Sequence, residues 1–141
     1  MANNHDNHET KSRIKRTKFR LLNNSSDLAA LHPLVFDFLV QYIALEVSIR
    51  QIWKLQNEEK EFKVSVKSVE KCFKYYGVHC DHDLIGRVFG SETHRDSKSL
   101  KKLRDEFVHS MSIKGIKEIE NRYQKLRLDM INIKSAIQSA I

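Results

Sequence analysis

Residues 103–109 read Leu-Arg-Asp-Glu-Phe-Val-His and set an arginine, an acid and a histidine along one or two turns of a helical run that begins around Ser97. Arginine is a fixed cation whose planar donors suit phosphate. Histidine has the side-chain pKa closest to neutrality, so it can give or take a proton. An acid four residues before a histidine lies on the same helical face. Arg104, Asp105 and His109 are therefore a minimal set for cutting a phosphodiester without a metal: a clamp, an orienting acid and a general base or acid.

The helix that carries them dictates where they point. Each residue advances roughly 100°, so with Leu103 at zero, Phe107 falls near 40° and Leu100 near 60°. The core direction is thus about 45°, with Arg104 on its shoulder near 100°, Asp105 near 200° and His109 near 240°. Asp105 and His109 turn away from the helix's own core. Arg104 and His109 converge only if the arginine curls, the helix ends, or a second protomer meets this face. Two-fold symmetry would bring like residues together near its axis. The plainer reading is a solvated surface with an ordinary Asp/His contact.

Residues that position this helix are legible in the apolar periodicity. With 141 residues, 40% apolar and 30% charged, the chain reads as one soluble globular domain. One proline, four glycines and many Lys, Glu, Leu and Ile predict long helices, an all-α fold of about four to five of them. Ser26 or Asp27 is expected to cap a short turn over Leu28 to Leu31, and Pro33 to open the next helix. From Leu34, Val35, Phe38, Leu39, Tyr42, Leu45, Ile49, Ile52 and Trp53 recur at three- and four-residue steps. A second apolar flank, Phe36, Val40, Ile43 and Val47, predicts burial on two sides, one against the bundle and the other against a second protomer. Glu46 and Arg50 are spaced for an ion pair, and Lys54 continues their stripe. Asn57 to Lys60 ends that helix.

Further along, Ser65 to Tyr76 reads as a helix stopped by Gly77, and Asp81 to Phe89 as a short one capped by Asp81 and stopped by Gly90. Ser91 to Ser97 is a polar loop. Ile113, Ile116, Ile119, Tyr123, Leu126, Met130, Ile133 and Ile137 mark a long amphipathic helix over Ser112 to Ile141, weakened early by Gly115. No repeat and no convincing strand pair is present. Residues 23–141 form the helical domain. Residues 1–22 form a basic, partly disordered arm: Met1 to Thr10 is rich in Asn and His, and Lys11, Arg13, Lys15, Arg16, Lys18 and Arg20 follow closely.

The net charge of +7 and pI near 9.5 suit a polyanionic partner such as RNA, and equally a basic protein with no nucleic-acid role. Lys98, Lys101 and Lys102 precede the motif and are placed to steer RNA, or only to keep the helix soluble. Tyr75 and Tyr76 are placed to stack on bases or to lie half buried. Cys72 and Cys80 do not make a disulfide scaffold. Met1 to Glu9 lacks an apolar signal core, and Leu34 to Leu55 is broken by Asp37, Gln41, Glu46 and Arg50, so no membrane span and a cytoplasmic location are expected. His79, Cys80, Asp81, His82 and Asp83 crowd together without the pairing a structural zinc site needs, so no metal and no cofactor is expected.

With these residues in place, the chain resembles a HEPN domain, the helical family whose ribonuclease members carry Arg, a polar residue, a short spacer and His. Arg104 and His109 have four residues between them, and Asp105 fills the polar place. The lead-in with Leu100 and Leu103 and the long final helix are similar too, and the likeness extends loosely over Pro33 to Ile141. It implies a HEPN-like bundle working as a homodimeric, metal-independent endoribonuclease, with attack by the ribose 2′-hydroxyl leaving a cyclic phosphate. Such proteins often act as toxins or in phage defence, held by an antitoxin protein. Members of one subgroup carry a modified tyrosine two places after the histidine; Met111 stands there in this chain, so that mode of control is not implied. The alternative within the family is a non-catalytic module that binds a nucleotide or a protein. Outside it stands a basic helical DNA- or RNA-binding protein with no chemistry.

Overall fold

The computed structural model describes residues 25–55, 62–90, 93–94 and 97–140. The basic arm, residues 1–22, lies outside them, as does the expected helix end at Asn57 to Lys60. Six helices are present among the described residues: α1 (Ser25–Leu31), α2 (Pro33–Lys54), α3 (Val66–Tyr76), α4 (His82–Phe89), α5 (Leu100–Ser110) and α6 (Ile113–Ala140). The protein is all-α, with six helices among the described residues where four to five were expected. The short α1 accounts for the difference. Ser26 and Asp27 lie within it.

α2 and α6 are the longest helices and pack most extensively on each other. α3, α4 and α5 close around them. Pro33 stands in the first turn of α2, where a missing N–H is no loss. The inward stripe of α2 is Val35, Phe38, Leu39, Tyr42, Leu45 and Ile49, all buried. It meets Ile119, Leu126, Met130, Ile133 and Ile137 of α6, Leu100, Leu103 and Phe107 of α5, and Val88 and Phe89 of α4 in one core. Ile113, expected on the apolar face of α6, is exposed. Among the described residues no helix is long and apolar enough to cross a membrane.

Local rules set the shorter helices. Ser65 accepts from the Ser68 N–H at 3.2 Å while Ser68 Oγ accepts from the Ser65 N–H at 2.9 Å, closing both ends of a capping box. Gly77 ends α3 at φ 69°, the left-handed region only glycine enters freely. Asp81 caps α4 as expected. Gly90 follows its last residue at φ −58°, so that stop does not use left-handed backbone.

The loop before α5 differs from the expectation. Thr93–His94 and Ser97–Lys98 pair as a two-residue antiparallel hairpin. Ser97 and Lys98 therefore lie outside α5, which begins at Leu100 behind the cap Ser99. Ser99 is 1% exposed. Its hydroxyl donates to the Gly90 carbonyl at 2.6 Å and accepts the Lys102 N–H at 3.0 Å. One side chain thereby ties the end of α4 to the start of α5. Ser99→Ala removes the cap and strips a buried carbonyl of its donor, and is expected to cost about 1–2 kcal/mol in urea unfolding.

Candidate functional site

The core stripe of α5, Leu100, Leu103 and Phe107, fixes the helix rotation, so Arg104 faces α2. Its Nη2 lies 2.9 Å from Glu46 Oε1, and its guanidinium sits 5.4 Å from the Tyr42 ring centroid. Glu46 is only 8% exposed. A buried carboxylate is costly unless an opposite charge or hydrogen bonds accompany it. Arg50 lies on the other side, its Nη2 3.9 Å from Glu46 Oε2, and its Nη1 donates to the Phe62 carbonyl at 2.8 Å. The expected Glu46/Arg50 pair is thus present, but Arg104 makes the shorter contact.

Among the described residues Arg104 Nε is buried without a hydrogen-bond partner, 3.1 Å from Asp105 Oδ1 but out of line with it, and the Tyr42 hydroxyl is buried beside the Glu46 carboxylate. Burial, then the Glu46 carboxylate, pushes the Tyr42 hydroxyl far above its usual range, so it stays protonated.

Asp105 is half exposed, yet its carboxyl is held above the ordinary aspartate value. Desolvation is the main cause and the nearby Glu46 adds to it; Arg104, Lys101 and His109 pull the other way. His109 is exposed in the last turn of α5 and has no hydrogen-bond partner among the described residues. α5 ends one residue later. Met111 adopts left-handed backbone, φ 48°, and its N–H returns to the Phe107 carbonyl at 2.7 Å. The chain then turns into α6, and Ser112 Oγ accepts the Gly115 N–H at 3.1 Å to cap it.

Between the end of α5 and the start of α6 runs a groove of about 720 Å³. Arg104, Asp105 and His109 all line it, beside Ser112, Lys114 and Glu118. The structure thus brings the three motif residues to one concavity. Within a single copy the helix ends just past His109, and Arg104 reaches onto α2 to Glu46.

The three lysines are dispersed. Lys98 stands on the hairpin, not on α5, and its Nζ is taken by Glu106 at 2.7 Å and Glu118 at 3.6 Å. Lys101 Nζ donates to the Val64 carbonyl at 2.9 Å. Only Lys102 has a side chain without a partner among the described residues. Two of the expected RNA-steering cations are therefore also engaged within the fold, and Lys98 lines the groove. In the His79 to Asp83 stretch, His82 pairs with Glu70 through Nδ1 and Asp81 caps α4. Among the described residues no three His, Cys, Asp or Glu side chains gather to hold a metal. Cys72 and Cys80 are free thiols, both pushed up by burial.

Sequence reasoning missed Glu46 and Tyr42 as the seat of Arg104. A signal was present. Tyr42 and Glu46 are one helical turn apart on the stripe that faces the core, and an acid there demands a cation from another element. Comparison with family models, with curated proteins and with solved structures finds no match.

The raised Asp105 value fixes the sign of a pH effect. The folded chain holds this proton more tightly than the unfolded chain does. The stabilising contribution is complete below the unfolded value of about 3.9 and is lost as pH rises through the folded value. At neutral pH the ionised carboxylate therefore opposes folding. Asp105→Asn is expected to melt above wild type at pH 7, with the gap closing below about pH 4. Thermal denaturation followed by circular dichroism at both values reads this directly.

Proposed function

We propose that this protein is a HEPN-type, metal-independent endoribonuclease, a toxin or phage-defence effector that works at a cleft shared by two copies. The observation that carries the reading is the meeting of Arg104, Asp105 and His109 in one groove at the end of α5. In this reading His109 takes the proton of the ribose 2′-hydroxyl, whose oxygen attacks the adjacent phosphorus. The bond to the 5′-oxygen breaks, that oxygen leaves with a proton, and a cyclic phosphate remains. Arg104 steadies the charge on the phosphate oxygens. A guanidinium has five N–H donors, and the short Glu46 contact occupies one of them. Asp105, one turn away, acts on His109 through its charge rather than through a hydrogen bond.

A second copy is supported by the outer face of α2. Val40 and Ile43 are each 50% exposed and Val47 45%, an apolar stripe with no cover among the described residues. On a helix turning about 100° per residue, Ile43 lies about 60° from Glu46 and Val47 about 100°. A partner seated on this stripe would border the Arg104 cluster and bring its own copy of it near. RNA and a neutralising antitoxin are the further partners this reading entails. A non-catalytic binding module is the second reading, and one observation favours it. Arg104 is already neutralised by Glu46, and among the described residues His109 has no hydrogen-bond partner.

Purified protein in chelator is expected to cleave RNA to cyclic-phosphate ends. His109→Ala and Arg104→Ala should each lower the rate by about 100-fold or more with the fold intact by circular dichroism. Equal cleavage by wild type and His109→Ala discards the enzyme and leaves the binding module. Ile43→Asp with Val47→Asp should convert the species seen by light scattering from dimer to monomer and abolish cleavage with it. A wild-type chain that stays monomeric at high concentration removes the shared cleft.

A further inference from the structure

A second surface carries cations that neither the motif nor the core uses. Lys67, Lys71 and Lys74 follow at helical spacing on α3, and all three are exposed. On a helix turning about 100° per residue they span only about 60° of its circumference. Lys63, also exposed, stands just ahead of the Ser65 cap. Among the described residues none of these four lysines pairs with an acid. Glu70, the acid of α3, is engaged with His82. Glu58, Glu59 and Glu61, the acids nearest Lys63 in sequence, lie outside the described residues.

Aromatic rings flank this stripe. Lys71 Nζ sits 6.0 Å from the ring centroid of Trp53, which is half buried at the end of α2. A hollow of about 610 Å³ opens among Trp53, Lys63, Lys67 and Lys71. Tyr75, 62% exposed, lies beyond Lys71 on the same helix. Solvated lysines that serve only solubility are ordinarily interspersed with acids. Like charges in a row beside aromatic side chains, Trp53 packed on Phe62 and Tyr75 edge-on to Tyr76, instead match a partner with repeated negative charge and flat stackable groups.

The surface is joined to the candidate groove through segment 62–64. Lys63 points out from it, while its Val64 carbonyl binds Lys101 and its Phe62 carbonyl binds Arg50. Lys101 acts on Asp105 electrostatically, and Arg50 flanks Glu46. We propose that the α3 lysine stripe, with Trp53 and Tyr75, is an accessory binding surface for single-stranded RNA leading toward the groove. The choice of RNA rests on the nuclease reading; the binding surface does not depend on cleavage.

The test uses the full chain carrying His109→Ala, in chelator, with a labelled unstructured single-stranded RNA. Trp53 is the single tryptophan of the chain, so intrinsic emission reports on this surface. RNA is expected to bind and to change Trp53 emission. Adding Lys67→Gln, Lys71→Gln and Lys74→Gln should weaken binding at least tenfold and flatten the log–log salt slope by about 2, with melting unchanged. Unchanged affinity in that triple variant, an unresponsive Trp53, or polyglutamate or duplex RNA bound as tightly as the single strand overturns the proposal. A chain that binds in this way and never cleaves upholds the surface and refutes the nuclease. A chain that cleaves while the triple variant binds normally does the reverse.

Discussion

The contact between Arg104 and Glu46 joins two helices through a pair of opposite charges set against the face of Tyr42. Neither charge would be tolerated alone at that depth. Glu46 lies on the α2 stripe that otherwise carries Leu39, Tyr42, Leu45 and Ile49, and Arg104 lies on the shoulder of the Leu100, Leu103, Phe107 stripe. The rest of the site follows from satisfying this pair. With Arg104 drawn to α2, Asp105 is held close behind it in a partly desolvated position, which is why its carboxyl resists ionisation. His109, one turn on, is left at the rim. Ion pairs of this kind add little net stability against an apolar equivalent, but a mispaired register would strand a charge. The pair therefore sets how α5 seats against α2.

The apolar stripe on the outer side of α2 bears on the same cluster. A helix with buried residues on one side and Val40, Ile43 and Val47 on the other has more apolar surface than one bundle can cover. That stripe adjoins Glu46, so whatever covers it also changes the solvation of the charges beside it. Lower solvation would strengthen the attraction between Arg104 and Glu46. Any cover on the stripe would thus act on the electrostatics of the cluster through one turn of one helix.

What could be read from the sequence was local. The Ser65 box, the Gly77 stop, the Asp81 cap and the inward stripes of α2 and α6 follow from neighbours a few residues apart, and the rules for such neighbours are strong. The exposed flank of α2 was legible for the same reason. The Arg104–Glu46 contact was not, because its partners are 58 residues apart and nothing in either segment names the other. The expectation gave Glu46 to Arg50, its neighbour on the helix, and the fold gave the closer place to Arg104. The hairpin at Thr93–His94 and Ser97–Lys98 is too short to leave an alternating pattern, so the start of α5 was set too early. Lys98 and Lys101 look free in a sequence; only packing reveals the carboxylates and the carbonyl that hold them.

The left-handed backbone at Met111 has a mechanical consequence. Met111 and Ser112 alone separate α5 from α6, the left-handed turn falls at the first of them, and the two walls of the groove diverge from it like blades from a rivet. One blade is anchored upstream, where Arg104 grips α2. The width of the mouth is therefore set at the elbow, and the seating of the guanidinium at α2.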